Sequence, residues 1–366
     1  MGFNVLQVMN YGAAYPGNFI RSMMALERRL SADGGQMIYV FPQRAKERAW
    51  VHEMKDSGHE IFFLSNSIPA AARELRRLIC RFNIDIIHSH FMNYSSYIPI
   101  RLARIFNKDI PHIVHVHSQP KRAEKPLLDA LRKKIIDEYI FICVSNAVAV
   151  EFSKRGHKCT TVINGVDFTR LESFEALDRF DFVNRAEDRT ILMFGYDFHI
   201  KGIDLAIKSL QKYDENHNIV LLLCVASHIE KAKEQIAELC GGIPDWIKLL
   251  PPRDDIASYY KLADAFVSAS RSEGFNYSLV EAAYCGTAVA ASDIPGQNEL
   301  KIPFTFIFQN ENEEQFFKAV SDALSMNKEE TENYKDTARD YIAKNFSLDC
   351  WAEKIIDVYK KAKTVN

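Results

Sequence analysis

The chain has 366 residues, of which 47% are hydrophobic, and a formal net charge of −2; this length suits about two domains, and the apolar content excludes a disordered protein. No run of 18 apolar residues occurs, and no basic leader precedes the first apolar segment, so we expect a cytosolic protein without a transmembrane span. The seven cysteines are scattered without a C-x-x-C pair, which favours reduced thiols over disulfides or a zinc site.

Strands and helices are predicted to alternate along the first 165 residues. A strand at residues 4–9 precedes a turn that contains Gly12 and Gly17, and a helix follows at residues 19–30. This alternation predicts a parallel sheet covered by helices on both faces. The other predicted strands are 37–41, 60–64, 84–90, 110–117 and 139–144, and the other predicted helices are 70–82, 93–107 and 125–137.

The pattern starts again after a turn at Asn164-Gly165 and a charged, irregular stretch at residues 171–188. From Ser347 onward, apolar side chains recur at helical spacing, so this last helix must pack its apolar face against another element. We expect α/β domains at residues 1–165 and 166–346 and a terminal helix at 347–366. The predicted strands of the second domain are 190–195, 219–225, 247–250, 265–269, 288–291 and 304–308, with a helix at 202–213 after the first of them.

Basic and acidic side chains are unequally distributed. Residues 1–165 carry 23 Lys and Arg against 14 Asp and Glu, whereas the remaining 201 residues carry 23 against 34. Segments 73–77 and 121–134 concentrate the basic excess. The first domain is therefore a candidate for contact with a phospholipid surface or a pyrophosphate-linked acceptor, although a solvated helix face explains such runs equally well.

One stretch places two carboxylates around the start of a helix. Glu273 follows the predicted strand 265–269, and Glu281 lies eight residues later in a helix that Gly286 ends. The first N–H groups of a helix lack intrahelical partners and suit a phosphate.

Four motifs in this order along the chain resemble family 4 of the retaining glycosyltransferases. They are His88-Ser89-His90, Asn164-Gly165-Val166-Asp167, the loop from Gly195 to Lys201-Gly202, and the E-x7-E stretch 273–281 with Gly-Phe after its first Glu. The resemblance covers nearly the whole chain. It implies the GT-B fold, in which two Rossmann-like domains with parallel sheets face each other across a cleft and a C-terminal helix crosses back to the first domain.

The resemblance also implies roles for residues of the second domain. Glu281 would accept hydrogen bonds from the ribose of a nucleotide sugar, and Glu273 would bind hydroxyls of the donor sugar. The alternative for Glu273 is a carboxylate that only complements the helix dipole. Lys201 would neutralise the diphosphate leaving group. Backbone N–H groups that would cradle the diphosphate belong to Asn276, Tyr277 and Ser278.

The donor-binding loop departs from the family pattern. Tyr196 follows Gly195 where the family usually has an arginine that pairs with Lys201, and one fewer cation at the diphosphate would weaken catalysis. Arg271 or His199 could compensate. Asn276 also stands where the family often has a glycine, but Asn is among the residues other than glycine that best tolerate a positive φ, so we expect the loop to accept the change.

The first domain supplies a histidine and a glycine to the implied site. His117 matches the family's histidine near the donor sugar, and we expect it to contact the sugar without acting as a nucleophile. Gly17, which stands where the family usually has a glycine pair, would let the backbone approach the diphosphate. His115 and His117 share one face of a strand, as do His88 and His90. A metal site among them is disfavoured because no carboxylate cluster accompanies them, and we expect no metal.

Missing motifs narrow the function further. There is no D-x-D, no G-x-G-x-x-G and no P-loop sequence, and aromatic residues are not interleaved with the basic segments as nucleic-acid binding would favour. The resemblance thus implies a metal-independent, retaining transferase without a cofactor, active in surface polysaccharide or glycoconjugate biosynthesis. It would move a sugar from a UDP-sugar, or else a GDP-sugar, to a glycan or lipid-linked acceptor, in the cytoplasm or at the inner membrane face. A sugar-nucleotide epimerase of the same fold, or a weakly catalytic binding or scaffold relative, remains an alternative.

Overall fold

The computed structural model of the protein describes residues 2–118, 139–195, 197–215, 218–225, 229–253 and 255–364, with the backbone alone at residues 94 and 95. They form two compact units: unit 1 comprises Met1–Gly165 with Leu348–Asn366, and unit 2 comprises Val166–Ser347. None of the described helices is long and apolar enough to cross a membrane. The predicted helix 125–137, the basic segment 121–134 and Tyr196 lie outside the described residues.

Unit 1 contains a seven-stranded parallel sheet in the order β3-β2-β1-β4-β5-β6-β7. The register places Gln7 beside His88 and His90 beside His115, so polar side chains from three neighbouring strands gather at one place in the sheet. The strands are β1 (Asn4–Met9), β2 (Gln36–Pro42), β3 (Glu60–Leu64), β4 (Ile86–His90), β5 (His112–Val116), β6 (Ile140–Cys143) and β7 (Cys159–Thr161).

Helices of unit 1 begin at recognisable caps and bury apolar faces. Ser67 accepts a hydrogen bond from the Ala70 N–H at the start of α3, and Asn93 accepts one from Ser96 at the start of α4. The bounds are α1 (Gly17–Ala32), α2 (Ala49–Asp56), α3 (Ile68–Arg81), α4 (Tyr94–Ala103) and α5 (Asn146–Lys154).

Unit 2 contains a six-stranded parallel sheet in the order β10-β9-β8-β11-β12-β13. The last predicted strand, 304–308, begins two residues late because Phe304 has φ 57°, which no extended strand allows. The strands are β8 (Arg189–Phe194), β9 (Ile219–Cys224), β10 (Ile247–Leu250), β11 (Ala265–Ser268), β12 (Ala288–Ser292) and β13 (Phe306–Phe308).

Helices of unit 2 flank this sheet, and α13 begins with a reciprocal capping box between Asn327 and Glu330. The bounds are α6 (Thr169–Glu172), α7 (Ile203–Tyr213), α8 (Ile229–Cys240), α9 (Ala257–Leu262), α10 (Tyr277–Tyr284), α11 (Pro295–Asn298), α12 (Glu313–Leu324) and α13 (Lys328–Phe346).

The terminal helix α14 (Leu348–Thr364) belongs to unit 1. Its apolar face, including Trp351 and Ile355, joins the buried core that α1 and β1 also form. Tyr359 is fully buried, and its hydroxyl lies 2.7 Å from His88 Nδ1 and accepts from Gln7 Nε2 at 3.1 Å. The last helix therefore contributes Tyr359 to the polar cluster of unit 1.

Candidate functional site

Two of the predicted catalytic residues meet in unit 2. Glu273 lies in the loop that follows the carboxyl end of β11, and Lys201 lies in the loop between β8 and α7. Lys201 Nζ is 2.5 Å from Glu273 Oε1, and the two side chains are only 14% and 8% exposed. Ser270 Oγ donates to the same carboxylate oxygen at 2.7 Å. The sequence separates these groups by 72 residues, and the fold makes them an ion pair.

Glycine at position 202 makes this approach possible. Gly202 has φ 66°, and a Cβ atom there would lie 2.1 Å from the carbonyl oxygen of Ala269. Any other side chain would therefore push the loop with Lys201 away from the end of β11. Gly195 has a different role: it directly follows β8, and its N–H donates to the Cys224 carbonyl at 3.0 Å.

Arg271 holds the same loop in place. Its guanidinium pairs with Asp204 at 2.7 and 3.0 Å and with Glu311 at 2.8 Å, and it also donates to the His199 carbonyl. The His199 ring is 73% exposed and lies 3.6 Å from the Asp204 carboxylate. Two carboxylates already neutralise Arg271, so this arginine fixes the loop. It leaves no spare positive charge to compensate for the arginine that the family resemblance expects at the position of Tyr196.

Asn276 caps α10 and ties the loop to the sheet. Its Oδ1 accepts from the Leu279 N–H at 3.2 Å, and its Nδ2 donates to Ser268 Oγ at 2.8 Å and to Gln297 Oε1 at 3.0 Å. The tolerance of Asn for a positive φ is not needed at this position, since the φ of Asn276 is −89°. The Tyr277 N–H, expected to face a diphosphate, donates to the Phe275 carbonyl at 3.2 Å, while Ser278 lies in the first turn of the helix.

A second glycine, Gly296, lets α11 approach the backbone of Glu273 closely. A Cβ atom at Gly296 would lie 2.5 Å from the Glu273 carbonyl oxygen. Next to it, Gln297 Nε2 donates to Ser292 Oγ at 2.7 Å, and Ser292 Oγ donates to the Ser270 carbonyl at 2.6 Å. The backbone on both sides of Glu273 is thus fixed by buried polar contacts.

Glu281 is buried and bonded on both carboxylate oxygens. Arg170 donates to Oε1, and the Tyr260 hydroxyl donates to Oε2 at 3.0 Å. Burial alone would lower the pKa of Arg170, but the adjacent Glu281 carboxylate outweighs it and raises the pKa. Burial first, and Glu281 second, raise the pKa of Tyr260 well above its usual value, so the phenol stays a hydrogen-bond donor.

Uncharged imidazoles gather at the corresponding edge of unit 1. His90 Nε2 lies 2.9 Å from Gln7 Oε1, and His90 Nδ1 lies 3.1 Å from Nε2 of the half-buried His117. Burial lowers the pKa of His90 and of His117 well below the usual value, and it lowers the pKa of His115 to about 3. These rings are therefore neutral near pH 7.

Nitrogen atoms of His88, His90 and His115 lie within 4.8 Å of one another, the only such histidine group among the described residues. Both nitrogens of His90 are already engaged by Gln7 and His117, so open nitrogens remain on His88 and His115 alone. Tetrahedral zinc with three imidazoles needs a free nitrogen from each ring. The hydrogen-bonded arrangement thus fits a polar cluster better than a metal centre.

Gly17 starts α1 with φ 55°. A Cβ atom there would meet only the Tyr11 hydroxyl, at 3.7 Å, so the left-handed backbone and not a lack of space favours glycine.

Comparison with known proteins gives this geometry a family context. The family model described as Glycosyltransferase Family 4 matches residues 21–170, and the model described as Glycosyl transferases group 1 matches residues 175–341. The chain belongs to glycosyltransferase family 4.

Curated relatives of the chain include mannosyltransferases whose names refer to phosphatidyl-myo-inositol and to lipopolysaccharide core biosynthesis. A phosphatidyl-myo-inositol mannosyltransferase from Mycolicibacterium smegmatis is 26% identical over 236 residues, which cover 62% of this chain and 58% of the relative. A lipopolysaccharide core biosynthesis mannosyltransferase from Rhizobium leguminosarum is 29% identical over 147 residues, 38% of this chain and 42% of the relative. The chain thus matches somewhat more than half the length of the first relative.

Solved structures share the fold of this chain. A glycosyltransferase from Rickettsia africae has a TM-score of 0.79 at 18% identity and covers 99% of this chain and 98% of its own. HepE from Anabaena, in complex with UDP and glucose, has a TM-score of 0.77 at 15% identity and covers 98% of this chain and 99% of its own. The predicted GT-B fold class is confirmed by these neighbours and by the two parallel sheets.

Several polar partners in this candidate site were not predicted. Arg170 and Tyr260 bond Glu281, and Gln297 bonds Asn276. Arg170 lies 111 residues from Glu281, and Gln297 lies in a segment with no charge pattern. Only the short Pro295-Gly296 pair, which marks a turn, hinted that this segment approaches another backbone.

Proposed function

We propose that the protein is a retaining, metal-independent glycosyltransferase that moves a sugar from a nucleotide-diphosphate donor to a glycan or lipid-linked acceptor. The observation that supports it most is the buried pair of Lys201 with Glu273, which lies where β11 leads into the start of α10. A cation and a helix N-terminus close together suit the two phosphates of a leaving nucleoside diphosphate.

Each residue has one task in this proposal. Lys201 bonds a diphosphate oxygen on which charge develops as the bond between sugar and phosphate breaks. Glu273 accepts hydrogen bonds from sugar hydroxyls, and Glu281 accepts them from ribose, because each oxygen of a carboxylate can accept more than one hydrogen bond. His117 contacts the sugar as a neutral ring.

The chemistry needs no covalent intermediate. Glu273 is engaged by Lys201 and Ser270 through Oε1, which suits a binding role better than nucleophilic attack. The acceptor hydroxyl attacks the face of the sugar that the diphosphate leaves, and its proton passes to the departing phosphate oxygen. Positioning of the reactants and electrostatic stabilisation therefore account for the acceleration of sugar transfer. A UDP-sugar is the favoured donor and a GDP-sugar the second candidate.

The α3–α4 surface of unit 1 favours a lipid-linked acceptor. The side chains of Ile98 and Leu102 on α4 are exposed, and Phe106 just beyond it is 72% exposed with the Arg76 guanidinium 4.3 Å from its ring centre. Other arginines exposed on α3 are Arg73, Arg77 and Arg81. Apolar side chains beside a row of cations suit an anionic lipid surface.

A pocket of about 280 Å³ opens between α3 and α4. It lies at the carboxyl ends of β1, β2 and β3, and Met9, Leu64, Ile68, Met92 and Pro99 give it an apolar lining. Such a pocket suits the apolar part of an acceptor better than a bare polysaccharide.

Turnover tests the proposal. Purified protein is offered UDP-, GDP- and ADP-sugars with and without lipid-linked acceptors, and nucleotide release is measured together with the sugar product. Release that requires an acceptor supports the transferase, whereas conversion of the donor without an acceptor identifies an epimerase. Binding of a donor without turnover for any acceptor would favour the weakly catalytic relative that the Tyr196 position suggests.

The lipid surface has a separate test. Flotation with vesicles that contain phosphatidylglycerol is compared for wild type, Leu102→Ser with Phe106→Ser, and the control Phe180→Ser, which removes an equally exposed phenylalanine of unit 2. We expect the α4 variant to bind weakly and the control to bind as wild type. Equal binding by all three would remove the membrane role.

A further inference from the structure

Phe91 has an unusual backbone beside the proposed sugar-binding histidine. It directly follows β4 and has φ 54°, a left-handed conformation that side chains with a Cβ seldom adopt. Its side chain is 37% exposed. A strained, partly exposed aromatic residue is not explained by core packing, and such outliers gather at functional sites.

Two polar residues hold this backbone. Asn10 Nδ2 donates to the Phe91 carbonyl at 3.2 Å, and the Asn10 N–H donates to the His90 carbonyl at 3.1 Å. Arg44 in turn donates to the Asn10 carbonyl at 2.8 Å and to Asn10 Oδ1 at 2.7 Å. The turn after β4 is therefore fixed from a neighbouring strand end and from the segment after β2.

The strained turn directs the phenyl ring onto His117. The two ring centres are 4.0 Å apart with an angle of 19° between the planes, so the rings stack. Phe19 meets the imidazole edge-on at 5.6 Å, and His90 bonds its Nε2 at 3.1 Å. With one face covered, one nitrogen bonded and an edge blocked, the orientation of His117 is determined.

We infer that Phe91 is a positioning residue, which acts through His117 by fixing the imidazole in the orientation that contacts the bound sugar. This inference rests on the proposed function, since it assumes that His117 contacts sugar. It assigns a reason to the left-handed backbone: an ordinary φ after β4 would point the phenyl ring elsewhere and remove one of the ring contacts that hold the imidazole.

Substitutions at position 91 distinguish the effect of the phenyl ring from the effect of the left-handed backbone. Phe91→Tyr keeps the stacked ring, Phe91→Leu removes it, and Phe91→Gly removes it while suiting the left-handed backbone. The control is Phe304→Leu, because Phe304 is also an exposed phenylalanine with a positive φ, 57°, but lies in unit 2. Thermal melts confirm that each variant is folded.

The readout is kcat/KM for sugar transfer, together with the chemical shifts of the His117 ring protons, which the current of a stacked ring moves. We expect Phe91→Leu and Phe91→Gly to lower kcat/KM by about 10- to 100-fold, as a misplaced group does, with Phe91→Tyr and the control near wild type. In a His117→Ala background, Phe91→Leu should change kcat/KM by less than about twofold, since the residue it positions is gone.

Each result decides a different claim. If the wild type is active and Phe91→Leu has wild-type kcat/KM, or if its loss persists undiminished in the His117→Ala background, the inference is overturned. His117 ring shifts that are the same in wild type and Phe91→Leu overturn it as well, with no need for activity. A folded wild type without turnover on any donor and acceptor overturns the proposed function and this inference with it.

Discussion

The two units place opposite kinds of polar chemistry at the carboxyl ends of the same kind of sheet. In unit 1, strands β4 and β5 bring together buried imidazoles that are held neutral, with Gln7 and Tyr359 as uncharged partners. In unit 2, the loops after β8 and β11 bring together full charges in pairs, above all Lys201 with Glu273. Similar topology therefore does not fix the chemistry, which depends on the side chains at the strand ends and in the loops that follow them.

This difference separates the tasks of the units. Neutral imidazoles can hydrogen-bond hydroxyl groups but cannot neutralise the charge of two phosphates. A cation that is paired with a carboxylate can exchange that carboxylate for a phosphate. The charge pairs should dominate catalysis, and the imidazoles should dominate the pH dependence of stability.

Breaking the charge pair of unit 2 should have the largest effect. Lys201→Ala and Glu273→Ala are each expected to lower kcat/KM by about 10²- to 10³-fold, the loss typical of one electrostatic contact at a transition state. Lys212→Ala, which removes an exposed lysine of α7, is the control and should retain activity. A loss below tenfold in Lys201→Ala would show that another group supports the leaving diphosphate.

Preventing the loop from approaching β11 should destabilise unit 2. Gly202→Ala combines a positive φ with a clash against the Ala269 carbonyl, and we expect it to lower the free energy of unfolding by about 3 kcal/mol. Gly241→Ala has a similar φ, 74°, in open space and should lower it by about 1 kcal/mol. Urea denaturation measures both, and equal costs would mean that the close approach is not required.

Lowering the pH should weaken unit 1. Burial lowers the pKa of His115 to about 3 in the folded protein, against about 6.5 in an unfolded chain, so its contribution to stability is present above pH 6.5 and is lost as the pH falls toward 3. His115 should therefore remove about 1.4 kcal/mol per pH unit in that range.

Thermal melts between pH 7.5 and 5.5 measure this loss. His115→Gln should make the melting temperature less dependent on pH, whereas the control His52→Gln, at an exposed position of unit 1, should leave the dependence unchanged. An identical pH dependence in wild type and His115→Gln would mean that the imidazole is not buried in solution.

The sequence predicted the elements that carry strong patterns. Strands β3 and β10 have the expected bounds, and Glu273 and Glu281 lie, as expected, in the loop after a strand and in the helix that follows it. Hydrophobic periodicity and turn residues are local features of the sequence, so they can be recognised without knowledge of the fold. Not every helix was predicted, and those missed include α2, α5, α8, α9, α12 and α13.

Contacts between distant segments could not be predicted. Nothing local shows that Arg170 bonds Glu281, that Arg271 is taken by Asp204 and Glu311, or that Phe91 stacks on His117. These contacts depend on how loops from different strands approach one another, which hydrophobic periodicity does not encode.

Calorimetric titration with UDP, GDP and ADP tests the central claim most directly, namely that the charged edge of unit 2 binds a nucleoside diphosphate. The account predicts that one of the three binds the wild type, and that Lys201→Ala weakens this binding by about tenfold or more while Lys212→Ala does not. Folded wild-type protein that binds none of the three, or a Lys201→Ala variant that binds as tightly as wild type, would contradict it.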